Sequence, residues 1–194
     1  MKIVAALAVL VALSGCVQDG AAGGYDHAFG SFRASPVVVT KMSVNGGAFK
    51  LAPVVVDGAA DTSLPRANGI DSMTYPSSTN GTMTLQATWV ELLTGRAYQA
   101  AVNVPDAELQ KSPTGRLEFA PLFGPNGEMI VSSDPLPTAE GVGEKRNIVT
   151  TCAARSPADD FDYRADPNSL PMLADALALP RPAVGASRCP KPAR

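Results

Sequence analysis

The chain has 194 residues, of which 45% are hydrophobic and 18% are charged, and its formal net charge is −2 at pH 7. With this balance and no stripe of basic residues, nucleic acid is not expected as a partner. The 17 prolines and 17 glycines are too many for long uninterrupted helices. The sequence therefore predicts a mainly β fold, either a single antiparallel sheet or a sandwich of hairpins, with one short C-terminal helix.

The N-terminus has the pattern of an export signal. Lys2 precedes an apolar run, Ile3–Leu13, which is typical of a secretory signal peptide and well short of the roughly 20 residues that span a bilayer as a helix. The tetrad Leu13-Ser14-Gly15-Cys16 resembles the lipobox of bacterial lipoproteins. That resemblance implies cleavage after Gly15, diacylglycerol on the Cys16 thiol and acylation of the new amine. An ordinary secretory signal that is cut elsewhere is the alternative.

Lipidation at Cys16 would anchor the chain in a membrane. One acyl chain attaches a protein only marginally and stable attachment takes at least two, so three chains on one residue would make the anchor permanent. In such lipoproteins an aspartate directly after the cysteine tends to retain the protein in the inner membrane, and here that residue is Val17. We therefore expect a lipid-anchored protein of the outer membrane that faces the periplasm.

The remainder divides into three parts. Residues 16–24 are rich in glycine and alanine, which predicts a flexible tether. Residues 25–179 contain the strand patterns and predict one β-rich periplasmic domain, long enough for a real core. Residues 180–194 form a Pro-rich tail.

The first predicted hairpin turns at Asn45-Gly46, a dipeptide that readily takes positive φ. The run Pro36–Val44 is rich in β-branched residues and predicts the first strand, and Ala48–Leu51 predicts the returning one. Pro53 then predicts a break or an edge strand. Residues 57–81 are mostly small and polar, which predicts a long surface loop and one place for a binding function.

The clearest strand pattern runs from Thr82 to Val104. Apolar residues alternate with polar ones on both sides of Thr94-Gly95, which predicts a hairpin with one buried face. A two-residue turn at Thr94-Gly95 places Trp89 opposite Ala100. Trp89 facing a small residue is the predicted core aromatic.

A second hairpin and one further strand follow. Leu117–Phe123 and Glu128–Val131 flank Asn126-Gly127, which predicts strand, turn and strand. Asn147–Cys152 predicts another strand, rich in β-branched residues.

A short helix is predicted over Pro171–Leu179. The segment contains good helix formers, has a proline in its first turn and is followed by Pro180. Leu173 and Leu177 are expected to face the sheet.

Cys152 and Cys189 are the only cysteines besides Cys16. Two thiols in an oxidising compartment most simply pair with each other, and closing this loop is worth roughly 3–4 kcal/mol on the chain-entropy model. The bridge would pin the Pro-rich tail onto the domain. A metal site needs more ligands than two cysteines and the single histidine, so no metal is predicted.

No catalytic constellation is evident. A Ser-His-Asp or Cys-His arrangement needs a positioned histidine, and His27, next to the tether, is expected to be exposed or capping. Four aspartates form an acidic turn that lacks the spacing and terminal glutamate of a calcium loop. They are Asp159, Asp160, Asp162 and Asp166.

Nothing places Glu91 and Glu118 together as paired carboxylates, and Glu91 is interpreted as part of a rim ion pair with Arg96. The sequence therefore predicts no enzyme and no cofactor.

Several short segments recur in an order similar to that of a known family. They are Ser43-Val44-Asn45-Gly46, Leu64-Pro65-Arg66, the strand ending in Trp89, and Gly115–Phe119 leading to Gly127–Ser132. Over roughly residues 35–135 the chain thus resembles a family of short bacterial lipoproteins of unknown function, often encoded near type VI secretion clusters and in some cases beside phospholipase effectors. The resemblance implies an immunity or accessory role and no catalysis.

We therefore expect a lipid-anchored lipoprotein that binds another protein. Its sharpest form is an immunity protein that blocks a type VI secretion lipase in the periplasm, since tethering raises effective concentration. The alternative is a structural or accessory outer-membrane lipoprotein of envelope or secretion-apparatus assembly. An enzyme is the third hypothesis and would need a polar cleft.

Overall fold

The computed structural model describes residues 24–49, 53–57, 68–76, 78, 80–112, 115–133, 137–138, 141–142 and 146–192. The predicted signal peptide, Cys16 and the motif Leu64-Pro65-Arg66 lie outside the described residues. Within those residues the fold is mainly β, as predicted, with two sheets in a sandwich-like arrangement and one short helix near the C-terminus. Gly24, assigned to the tether from sequence, already belongs to the first strand.

The described residues contain fourteen strands. They are β1 (Gly24–Ser31), β2 (Val37–Val44), β3 (Gly47–Phe49), β4 (Val54–Val56), β5 (Asn68–Thr74), β6 (Thr82–Glu91), β7 (Ala97–Pro105), β8 (Gln110–Lys111), β9 (Leu117–Phe123), β10 (Glu128–Ser133), β11 (Pro137–Thr138), β12 (Gly141–Val142), β13 (Arg146–Cys152) and β14 (Ala154–Arg155). The first sheet has the order β13-β10-β9-β1-β5, and β8 pairs with β9. The second sheet has the order β14-β7-β6-β2-β3, and β4 pairs with β2. Strands β11 and β12 pair with each other.

Asparagine–glycine turns close two of the hairpins where the sequence predicts them. Asn45 and Gly46 have φ of 51° and 76° and join β2 to β3. Asn126 and Gly127 have φ of 58° and 75° between β9 and β10. Both residue types tolerate positive φ, so the local chemistry fixes these turns. Pro53 directly precedes β4.

The predicted register of the β6–β7 hairpin is wrong by two residues. Trp89 lies opposite Tyr98 rather than Ala100. The turn contains four residues, 92–95, instead of two, because the Thr94 and Gly95 amides both donate to the Glu91 carbonyl. A two-residue shift leaves every side chain on the same face of the sheet, which is why the buried face was predicted correctly.

The first sheet contains pairings that the sequence does not predict. Strand β5 lies inside the segment 57–81, which was predicted to be a surface loop, and pairs antiparallel with β1. On its other side β1 pairs in parallel with β9, so the first sheet is mixed rather than wholly antiparallel. The sequence of β5, Asn-Gly-Ile-Asp-Ser-Met-Thr, lacks the alternation that marks a strand, and its partner is distant in the chain.

Trp89 lies between the two sheets, as predicted for the core aromatic. Its side chain is fully buried. The ring centroid lies 4.8 Å from that of Phe123 in the first sheet and 6.1 Å from that of Tyr98 in the second. Aromatic pairs of this kind add about 0.5–1.5 kcal/mol beyond the area they bury, so the tryptophan helps to hold the sheets together.

The single α-helix, α1 (Leu173–Ala178), begins two residues after its predicted start. Met172, directly before it, has φ of 62°, which lies outside the α-helical range and therefore delays the helix. Leu173 is fully buried against Val38 and Leu92, and Leu177 packs on the same cluster. The predicted buried face of the helix is confirmed.

The sandwich has two ends, which we name by residues. The Gly24 end contains the start of β1 and the Asn45-Gly46 turn, and the Asn45 amide lies 3.5 Å from the Tyr25 hydroxyl. The opposite end, the Gly127 end, contains the 92–95 turn and the turn at Gly127. There the Gly127 N–H donates to the Glu91 carboxylate at 3.1 Å and so links the two sheets.

Candidate functional site

Well-exposed large hydrophobic side chains are found in two stretches of the chain. Within the described ranges they are Leu93 (38% exposed), Phe161 (55%), Met172 (69%), Leu179 (47%) and Val184 (44%). All belong either to the 92–95 turn or to the C-terminal residues 156–192, which fold against the Gly127 end. Single exposed hydrophobic residues are ordinary, whereas several in one region mark interaction surfaces. We call these five residues the apolar patch.

Leu93 lies in the 92–95 turn, directly after a buried residue of the same turn. Leu92 is 1% exposed and packs with Val38 and Leu173. Gly95, with φ of +68°, closes the turn, and the Glu91 carbonyl accepts its N–H at 2.9 Å. Because Leu92 fills the buried position, Leu93 is left at the surface.

Phe161 is held at the surface by a loop that is fastened on both sides. Its N–H donates to the Gly95 carbonyl at 3.1 Å, and its ring centroid lies 4.6 Å from that of Tyr163. Next to it, Asp160 accepts two hydrogen bonds from the Arg155 guanidinium, at 2.8 and 2.7 Å, and one from the Ala97 N–H at 2.7 Å. The hydrogen bonds from Arg155 hold the pKa of Asp160 below its usual range.

Met172 has the highest exposed fraction in the patch and an unusual backbone. It lies in the left-handed region, with φ of 62° and ψ of −1°. This conformation is uncommon for a residue other than glycine and costs free energy. The cost is offset by burial of Leu173, the next residue, which fixes where the chain enters the helix.

Val184 lies on the C-terminal tail, which is bound to the Gly127 end by polar contacts and a disulfide. Glu128 is fully buried and accepts hydrogen bonds from the Arg33 guanidinium at 2.5 Å, the Ser187 hydroxyl at 3.2 Å and the Arg188 N–H at 3.0 Å. The predicted disulfide, Cys152–Cys189, is present, with a Cα–Cα distance of 5.5 Å. The tail is thus held at two neighbouring points.

Glu91 does not occupy the rim position predicted from sequence. It is 4% exposed, and its carboxylate accepts from the Thr94 hydroxyl at 2.9 Å and from the Gly127 N–H instead of pairing with Arg96. Burial raises the pKa of Glu91, and these hydrogen bonds lower it in part. Glu91 therefore acts as a buried cap for two turns. Glu118 lies in β9 opposite Asp26, toward the other end of the sandwich.

His27 is buried, contrary to the prediction of an exposed or capping residue. It is 1% exposed in the centre of β1, and its Nδ1 lies 3.3 Å from the Tyr75 hydroxyl. Its ring stacks on Phe119 at 5.9 Å and meets Phe29 edge-on at 5.1 Å. Pairing of β1 with β5 and β9 places it inside the sandwich.

Three of the acidic-turn aspartates are engaged in ion pairs. Asp159 pairs with Lys41 at 2.8 Å, Asp160 with Arg155 and Asp162 with Arg164, the last two at 2.7 Å. The part of the chain that the structure describes contains no group of three or more His, Cys, Asp or Glu residues that could hold a metal ion. These aspartates fasten the loop that carries Phe161.

The sequence alone did not identify Phe161, Met172 and Val184 as candidate site residues. One signal for Phe161 was available, because an aromatic residue within an Asp-rich segment has no strand or helix pattern to explain it. Met172 was placed inside the predicted helix, and only the backbone conformation shows that it lies outside.

The described residues thus form a sandwich-like, mainly β fold that carries five well-exposed large hydrophobic side chains. No family profile, no curated protein and no solved structure matches the chain. Among the residues described, no helix has the length and apolar character needed to cross a membrane.

Proposed function

We propose that this chain is a lipid-anchored lipoprotein of the outer membrane that binds a protein partner in the periplasm through the apolar patch. One observation carries the proposal: the well-exposed large hydrophobic residues of the described chain belong to the 92–95 turn and to C-terminal segments that contact it or Arg33, next to the Gly127 end. Phenylalanine and methionine are enriched at protein interfaces, and methionine adapts to irregular partner surfaces. Exposed pairs such as Arg164–Asp162 would form the polar rim.

The position of the proposed anchor favours a protein over the bilayer as the ligand of the patch. Between Cys16 and Gly24 a Gly-rich coil would span about 16 Å on average. Strand β6, with ten residues, spans about 33 Å between the two ends. The Gly24 end would therefore stay nearer the membrane, and the patch would face the periplasm.

The sharpest form of the proposal is an immunity protein that blocks a type VI secretion lipase. An inhibitor anchored at the membrane meets the enzyme where its substrate is, and tethering raises the effective concentration of the inhibitor. The resemblance over residues 35–135 supports the proposed immunity role.

The test is affinity capture of the lipidated protein from membranes, with Cys16→Ser as the anchoring control. We expect one stoichiometric secreted hydrolase that is inhibited on binding. Phe161→Asp should abolish the capture, whereas Gln99→Asp, on the exposed face of β7, should leave it unchanged. Recovery of envelope or secretion-machine components alone would instead support the structural or accessory role. Equal capture by Phe161→Asp would remove the patch from the proposal.

A further inference from the structure

A second surface, at the Gly24 end, differs in chemistry from the apolar patch. A shallow, open recess of about 430 Å³ lies there. Its lining is polar and uncharged. The lining residues are Asn45, Gly46, Asn80, Thr82, Thr84 and Asn103.

Hydrogen bonds fix two walls of the recess. The Asn45 side chain accepts the Thr84 N–H at 2.8 Å and donates to the Pro76 carbonyl at 2.8 Å. The Thr84 hydroxyl donates to the Asn103 side-chain oxygen at 3.0 Å. Both asparagine side chains are thus oriented before any ligand arrives, which reduces the entropy cost of binding.

The same bonds leave polar groups available to a ligand. Within the described part of the chain, no hydrogen-bond partner faces the Asn103 NH₂ group, the Asn80 amide or the Thr82 hydroxyl. An amide supplies two donors and an acceptor, and a hydroxyl supplies both functions. Sugar hydroxyl groups likewise donate and accept, so one sugar face could satisfy all three groups.

The lining argues against charged ligands. It contains no carboxylate for a cation and no Lys or Arg for a phosphate. Asp106 lies near one side of the recess. The Tyr25 hydroxyl, which contacts the lining residue Asn45, also donates to the Asp106 carboxylate at 3.4 Å. An anion would be repelled there. We propose that the recess binds an uncharged carbohydrate, independently of the protein partner of the apolar patch.

The test uses N,N′,N″-triacetylchitotriose as the probe, titrated into the ¹⁵N-labelled full-length chain while amide and Asn side-chain NMR signals are followed. We expect a dissociation constant on the order of 1 mM, as for a few exposed hydrogen bonds. The shifts should be largest at Asn80, Thr82 and Asn103. If the signals of these residues do not shift at a probe concentration ten times the expected dissociation constant (~10 mM), the proposal is overturned.

Two variants and one ligand serve as controls. Asn103→Leu should weaken binding at least tenfold, and Asn80→Gly, which keeps the positive φ of this position, should also weaken it. Gln99→Leu, on the same exposed face toward the other end, should bind like the wild type. Trigalacturonate, an anionic trisaccharide, should not bind. Unchanged affinity in both Asn variants, or equal binding of trigalacturonate, would contradict the proposal.

Discussion

Burial of the Glu91 carboxyl group raises its pKa, and this gives the protein a specific pH dependence at the scale of one residue. The folded state binds the proton more tightly than the unfolded state does. Wild-type stability should therefore rise as the pH falls from neutrality through the raised pKa, and the contribution should level off below the unfolded pKa.

The matched variant is Glu91→Gln, whose amide can accept from Gly127 and donate to the Thr94 hydroxyl. We expect this variant to be more stable than the wild type near pH 7.5, by an amount that shrinks as the pH falls. Urea unfolding at a series of pH values measures the difference. Glu91→Ala should be less stable at every pH, by about 1–3 kcal/mol, because two donors lose their acceptor. A Gln–wild-type difference that does not vary with pH would show that Glu91 is not the titrating group.

His27 allows a second prediction at this scale. Its ring fills space between Tyr75, Phe119 and Phe29, so His27→Ala should lower the free energy of unfolding by about 2–4 kcal/mol through the cavity it creates. His27→Phe keeps most of the volume and loses the contact with the Tyr75 hydroxyl, which should cost about 1 kcal/mol. Denaturant melts of both variants test the ranking, and an alanine variant within about 0.5 kcal/mol of wild type would mean that the site is not packed.

At the scale of elements, the turns and buried faces were predictable because their causes are local. Asn45-Gly46 selects its own turn, and alternation buries Trp89 on the correct face. The register of β6–β7 was predicted wrongly because the turn has four residues rather than two, and one of them, Leu92, packs with Val38 and the distant Leu173. The parallel pairing of β1 with β9 is similarly non-local.

The C-terminal tail is an element whose attachment can be tested. The disulfide closes a separation of 37 residues, so replacing Cys152 and Cys189 together with serine should cost up to roughly 3–4 kcal/mol. Hydrogen exchange of residues 180–192 should rise in this variant. Glu128→Gln keeps the disulfide and weakens the contacts with Arg33 and Arg188, so it should raise exchange less. Equal exchange in the double-serine variant and the wild type would show that the polar contacts alone hold the tail.

At the scale of the whole molecule, the candidate sites depend on which residues share an end of the sandwich. Leu93 and Met172 are 79 positions apart in the sequence, yet they flank the same buried contact between Leu92 and Leu173. Neither pattern nor propensity carries that information. The sequence therefore predicts a protein partner without identifying the surface that we propose for it.

The positions of the two ends of the sandwich predict how the anchored protein is oriented on a membrane. We expect the lipidated protein, bound to vesicles through Cys16, to hold Asn103 nearer the lipid headgroups than Phe161, because the proposed tether is shorter than the sandwich. The measurement places one fluorophore on Asn103→Cys or on Phe161→Cys and compares quenching by nitroxide-labelled headgroups. The proposed lipidation would block the Cys16 thiol, and the disulfide occupies the other two cysteines, so labelling would be site-specific. Stronger quenching at position 161 would place the apolar patch against the bilayer and make lipid, rather than protein, its ligand.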